Sequence, residues 1–205
     1  DPADVLLDHL GVGAVLVQAV ASANDAVVDS VRPDSAGNPP SCTFVAGVLE
    51  PTPQGTLLVV GWIGDSRAYW VPDAGTGLKP ERLSTDDSWA AEEIALGVPR
   101  EEAEAGPHAH AITRWLGPDS PELVPRRVAL LLEVPGWVVL CSDGLWNYCS
   151  EPAALAETLR SVAEAGKDGD EAPGSPPALA RGLVAWANAQ GGQDNITVAL
   201  ARVEG

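Results

Sequence analysis

Three aspartates occupy the same kind of place in this sequence: the end of an apolar stretch, beside a residue that lets the chain turn. Asp143 follows Val138, Val139, Leu140, Cys141 and Ser142 and precedes Gly144. Asp65 sits between Gly64 and Ser66 in "WIGDSRAYW", and Asp194 lies after Gly191 and Gly192 and before Asn195 in "GGQDNITVAL". A carboxylate carried to the end of a core strand has to be paired, hydrogen-bonded or metal-bound, because burying it alone is costly. No lysine is close to any of the three in sequence, and Arg67 is the one near cation. Taken singly, each reads as a turn residue capping backbone N–H groups. Taken together, they read as a shared oxygen-rich site of the kind that hard cations such as Mg²⁺ and Mn²⁺ favour.

Other chemistries find less support. His108 and His110 stand two apart with no cysteine or HExxH context, and no nucleophile elbow supports a Ser-His-Asp triad. Cys42, Cys141 and Cys149 have no metal-like spacing; their odd number suits reduced thiols in a cytoplasm, and they read as small core residues. The balance of 12 basic against 29 acidic side chains gives −17, which disfavours nucleic acid and anionic membranes as partners. No apolar run suggests the roughly 18 residues of a membrane span, and "DPADVLLDHL" at the start lacks the basic region of a signal peptide.

The elements that must position these aspartates follow from periodicity. Leu16, Val20, Ala23, Val27 and Val31 recur at helical spacing up to Pro33 and the turn-rich "PDSAGNPP". Thr43–Leu49, Thr56–Ile63 and Arg67–Val71 read as strands of an antiparallel meander, with "GDS" as a tight turn. A short helix at Trp89–Leu96 begins a looser segment, residues 86–112, which reads as a peripheral flap without a strong apolar face. Strands resume at Arg127–Leu132 and Trp137–Ser142, and a helix near Pro152–Ala163 leads into the acidic loop "AGKDGDEAPGSPP". A last helix starts at Ser175 and Pro176, with Leu179, Leu183 and Trp186 as its buried face. It ends at Gly191 and Gly192, and Ile196–Val203 closes the chain as a strand. Neither an internal repeat nor a second domain is visible, so residues 1–205 read as one domain.

The order "GDSRAY" (Gly64–Tyr69), "LSTDDS" (Leu83–Ser88), "ITRWLG" (Ile112–Gly117), "VPGWVVLCSDGLW" (Val134–Trp146) and "GGQDNITV" (Gly191–Val198) resembles the metal-dependent serine/threonine protein phosphatases of type 2C. The resemblance implies an α+β fold in which two antiparallel sheets are sandwiched between helices, in four layers α-β-β-α. It implies a dinuclear Mg²⁺ or Mn²⁺ centre with Asp143 and Asp194 as ligands, and Asp65 at a weaker third metal. The expected activity is hydrolysis of phosphoserine and phosphothreonine in proteins by a metal-activated water, with phosphoprotein substrates and a serine/threonine kinase pathway as partners. Asn195 is expected to orient Asp194, and Gly144 to let the chain turn away beside Asp143. Arg67 and Arg114 are expected in structural roles rather than as phosphate clamps.

The sequence also departs from the family pattern. The N-terminal motifs, with a phosphate-binding arginine and a bridging aspartate in "DG", are not matched before Leu16, so the domain is expected to be N-terminally incomplete and inactive as written. Asn147 stands where many members have an aspartate, Asp87 where a histidine is common, and "SCT" (Ser41–Thr43) where a glycine usually opens the strand. These departures leave a second expectation beside the enzyme: a catalytically inactive, phosphatase-like binding module.

Overall fold

The computed structural model describes residues 11–32, 39–109, 111–165 and 174–204. Its elements run α1 (Val12–Asp29), β1 (Phe44–Thr52), β2 (Gly55–Ile63), β3 (Arg67–Pro72), β4 (Glu81–Arg82), α2 (Trp89–Ala95), α3 (Arg100–Glu104), β5 (Arg126–Leu132), β6 (Gly136–Cys141), α4 (Asp143–Trp146), α5 (Pro152–Ala165), α6 (Pro176–Gln190) and β7 (Val198–Val203). The strands form a three-stranded sheet in the order β1-β2-β5 and a four-stranded sheet in the order β4-β3-β6-β7. The fold is α+β with two antiparallel sheets, as the motif order implies. The start of the chain, residues 33–38, His110 and most of the acidic loop lie outside the described residues.

The expected meander is not formed. β1 and β2 share one sheet, but β3 belongs to the other, so the Gly64–Ser66 turn carries the chain from sheet to sheet instead of closing a hairpin. A tight hairpin turn bonds its two flanking strands to each other. Here Gly64 is bonded to Asp87 instead, through its N–H to Asp87 Oδ2 at 2.9 Å and its C=O from the Asp87 N–H at 2.9 Å.

Two compact units divide the chain. One takes in α1, the start of β1, the end of β2 and residues 85–129; the other holds residues 49–58, 67–84 and the chain from 130 onward. In the first, Val20 of α1 packs with Ile63 and Leu116, and Asn24 accepts the Gly117 N–H at 2.9 Å. By length and composition α1 could cross a membrane, with a mean hydropathy of 1.3 over 18 residues. Its buried stripe of Val12, Leu16, Val20 and Asn24 nevertheless follows the period of a helix lying on a core. The flap carries a second short helix, α3, which its composition did not suggest, and a small apolar cluster of its own from Ala90, Ala103 and Ala109 with Ile94 and Val98.

The second unit builds its core by period-two alternation. Register places Tyr69 opposite Val139 and Val139 opposite Leu200, so these residues share one sheet face. Against that face pack Leu145 of α4, Leu155 and Leu159 of α5, and Leu179, Leu183 and Ala187 of α6. Trp186, expected on the buried stripe of α6, is partly buried at its margin, and Ala187 completes the stripe at steps of four. Cys141 and Cys149 are core residues, and burial pushes the Cys149 thiol up to about 11. Cys42 departs from that expectation: it is exposed, on an isolated bridge to Leu116.

At the far end of this sheet, Asp73 follows β3 and accepts two bonds from Arg202 of the edge strand β7, at 2.7 and 2.6 Å. The Arg202 guanidinium also lies 5.2 Å from the centroid of the Trp137 ring. The hydrogen bonds from Arg202 hold the Asp73 carboxyl below its ordinary value, against an opposing effect of burial. The pair is partly exposed, so its contribution is about 1 kcal/mol or less. A lowered carboxyl pKa gives stability that is complete above the unfolded value of about 3.9 and is lost as pH falls through the lower folded value. Urea unfolding of wild type and Asp73→Asn should therefore differ at pH 7 and converge as pH falls through the lowered folded value. A difference that persists in acid would show that the pair acts through packing.

Candidate metal centre

Asp143 and Asp194 reach the same place because β6 and β7 are antiparallel neighbours. β6 ends at Cys141 opposite Val198, where β7 begins, so the residues after β6 and before β7 leave the sheet at one end. Three hydrogen bonds extend the pairing past the strands. The Ser142 N–H donates to Thr197 O at 3.1 Å, the Thr197 N–H to Ser142 Oγ at 3.0 Å, and Ser142 Oγ–H to Asn195 O at 3.2 Å. Asp143 is the next residue after this clasp on one strand, and Asp194 the residue just before it on the other.

Gly144 makes that closeness possible. Its φ is not in the left-handed region, so it is needed for room, not for conformation. A Cβ at this position would run into the Asn195 carbonyl oxygen and lie 2.9 Å from the carbonyl carbon and 3.0 Å from Ile196 Cγ1. Each carboxylate is steadied by the next main-chain N–H: Gly144 N–H to Asp143 Oδ1 at 2.9 Å, and Asn195 N–H to Asp194 Oδ1 at 2.7 Å. Asn195 thus orients Asp194 through its backbone. The single turn α4 follows, with the Asn147 N–H donating to Asp143 O at 2.9 Å.

Beneath α4, Arg67 is 6% exposed; its guanidinium lies 3.6 Å from the centroid of the Trp146 ring and donates to Ser150 Oγ at 2.7 Å. Tyr69 donates to Ser150 O at 3.0 Å, and burial pushes its hydroxyl up to about 12. These contacts tie the chain after α4 to the start of β3 and hold the Arg67 guanidinium against Trp146 and Ser150.

Asp65 belongs to the other unit, where both of its neighbours are pinned. Gly64, at φ 98°, is clasped by Asp87, and Ser66 Oγ lies 2.8 Å from Thr43 Oγ1. A Cβ on Gly64 would meet Thr43 Cγ2 at 2.5 Å, so this turn demands glycine on both counts. Asp87 is 1% exposed and ionically paired with Arg126 Nε at 2.5 Å and Arg114 Nη1 at 3.4 Å. Arg114 also donates to the Val124 carbonyl. Sequence reading noted Asp87 only as a departure from a family pattern. Its two partners lie 27 and 39 residues away, beyond the reach of any local signal.

The donors at the sheet end suit a hard divalent cation. They are two carboxylates, each with Oδ2 taking no hydrogen bond among the described residues. Together they suit the holding of one cation; no group of three His, Cys, Asp or Glu placed for a metal occurs among the described residues. The structure therefore places the residues that carry Asp143 and Asp194 at one end of the β6–β7 pair.

No family model matches the chain. It is 33% identical over 153 residues to the protein phosphatase PhpP of Streptococcus pneumoniae, a match covering 71% of this chain and 57% of the relative. It is 32% identical over 143 residues to a putative 2C-type protein phosphatase of Streptococcus pyogenes, covering 69% of this chain and 51% of that one. The chain thus spans about half the length of the curated relatives it matches. Among solved structures, the serine/threonine phosphatase of S. agalactiae superposes with a TM-score of 0.63 at 25% identity, over 90% of this chain and 67% of that one. The catalytic domain of the phosphatase PstP in complex with two manganese ions shares the fold, with a TM-score of 0.60 at 22% identity over 95% and 81% of the two chains. With five motifs in order and a shared fold, the chain is similar to the bacterial-type 2C serine/threonine protein phosphatases.

Proposed function

We propose that the protein hydrolyses phosphoserine and phosphothreonine in protein substrates, with its 205 residues acting as part of one metal-dependent phosphatase domain. The observation that supports this reading is the clasp of Ser142 with Asn195 and Thr197, which joins the backbone next to Asp143 to the backbone next to Asp194. Bound Mn²⁺ or Mg²⁺ supplies a water of lowered pKa and neutralises charge on the phosphoryl oxygens. Asp143 and Asp194 would hold the cation, and the N–H groups of Gly144 and Asn195 steady their carboxylates. Asp65 stands at a weaker third site. The substrates are phosphoproteins of a serine/threonine kinase pathway in the cytoplasm.

The test is phosphate release by the full-length gene product from phosphoserine, phosphothreonine and phosphotyrosine peptides, with Mn²⁺, Mg²⁺ or EDTA. Release from the first two that requires a divalent ion and stops with EDTA is the expected result. Binding of a phosphopeptide with no release under either ion would overturn the reading in favour of a binding module.

A further inference from the structure

We propose that Asp87 is a positioning residue, fastening both stems of the flap to the Gly64–Ser66 turn and so fixing where the Asp65 carboxylate stands. The proposal rests on the reading of Asp65 as a site carboxylate; the clasp itself is independent of that reading. Asp87 is the second residue of the flap, and Thr113, directly after the flap, donates its N–H to Asp87 O at 2.9 Å. The stems stay together beyond that point, through the Ser88–Ile112 bridge and the Trp89 N–H to Ala111 O at 2.9 Å. From the same residue, the Asp87 N–H and Oδ2 each bond Gly64, at 2.9 Å. Asp87 therefore holds the flap's entry, the flap's exit and the residue before Asp65 with three main-chain and side-chain groups.

A side chain that joins three segments needs its own orientation fixed, and the two arginines provide this. Arg126 Nε engages Oδ1 at 2.5 Å and Arg114 Nη1 spans Oδ1 and Oδ2 at 3.4 and 3.5 Å, which fixes the carboxylate plane with Oδ2 accepting the Gly64 N–H. Charge-assisted pairs of this kind are shorter and more directional than neutral ones. On the other side of Asp65, the Ser66–Thr43 hydroxyl pair closes the restraint. Movement of the flap's stems is thereby transmitted to the backbone of Asp65, which makes Asp87 the link between the flap and that carboxylate.

Hydrogen exchange on the full-length protein tests this. Asp87→Ala should raise amide exchange across Trp62–Ser66 by about tenfold or more while Val138–Cys141 of the other unit stays within about twofold. Asp87→Asn, which keeps an acceptor for the Gly64 N–H, should fall between wild type and alanine. On a phosphoserine peptide, kcat should drop about tenfold with KM within about twofold. Should Asp87→Ala fail to fold, Arg126→Gln serves in its place: that side chain is 49% exposed, and its loss removes the shortest contact to Oδ1 while Arg114 still pairs with the carboxylate. Unchanged exchange at Trp62–Ser66 in every folded variant, or an equal rise at Val138–Cys141, would overturn the clasp. A local rise with kcat unaltered would overturn its bearing on Asp65.

Discussion

Replacing Asp143 by alanine is expected to remove phosphatase activity from the full-length protein with little loss of fold. The side chain is half-buried and its one hydrogen bond, to the Gly144 N–H at 2.9 Å, is a local cap. Loss of a residue that merely supports a metal ligand costs about 10–100-fold, so loss of a ligand itself should exceed about 100-fold. Asp194→Ala should behave alike, since Asp194 is exposed and its bond to the Asn195 N–H at 2.7 Å is also local. Isothermal titration with Mn²⁺ gives an independent reading: either variant should bind the ion more weakly while its thermal midpoint stays close to wild type. Activity within a factor of about three of wild type in Asp143→Ala would remove Asp143 from the metal centre.

Gly144→Ala is expected to reach the same centre by a different route. The added methyl has nowhere to go, because its closest neighbours are backbone atoms of Asn195, with the carbonyl carbon at 2.9 Å. Backbone cannot rotate aside as a flexible side chain would, so the segment before β7 must be displaced. Overpacking of this kind costs about 1–3 kcal/mol. For a chain of this size that lowers the thermal midpoint by roughly 3–10 °C. Displacement also pulls Asp194 away from Asp143, so Mn²⁺ affinity should fall although neither ligand has been changed. An unaltered midpoint and unaltered affinity would mean that the residues beside Gly144 yield freely. The control is Gly77→Ala: nothing lies near Gly77, so any effect there reports only its left-handed φ of 79°.

How much of this was legible in the sequence differs from element to element. β6 and α6 were readable because a run such as Val138–Cys141, or the spacing of Leu179 and Leu183, carries its own period. That Asp143 and Asp194 adjoin the same end of the sheet was foreseeable for the same reason, since each adjoins a strand that can be recognised alone. The sheet change at Gly64–Ser66 was not. Its cause is the bonding of Gly64 to a residue 23 positions on, and three short strands with a tight turn look alike whether or not they stay in one sheet. The flap's alanine cluster escaped notice because Ala90, Ala103 and Ala109 are too small to mark an apolar face, and only their burial shows it. Cys42 misled in the opposite sense: an apolar neighbourhood in sequence does not fix which way a residue points at a strand's start.

The pairing around Asp87 also constrains how this sequence can change over time. Exchanging Asp87 alone for the histidine of the 2C phosphatase pattern would leave two guanidinium groups facing an imidazole, one of them on an arginine only 8% exposed. Breaking a buried ion pair from one side typically costs about 3–5 kcal/mol, a large share of a domain's stability. Losing Arg126 first is milder, because that side chain is 49% exposed and Arg114 remains to neutralise the carboxylate. The effects at positions 87, 114 and 126 are therefore not additive, and the order of substitution decides whether a folded intermediate exists. Aspartate at 87 is thus held in place by its partners: with both arginines present, exchange to histidine costs more than it would without them.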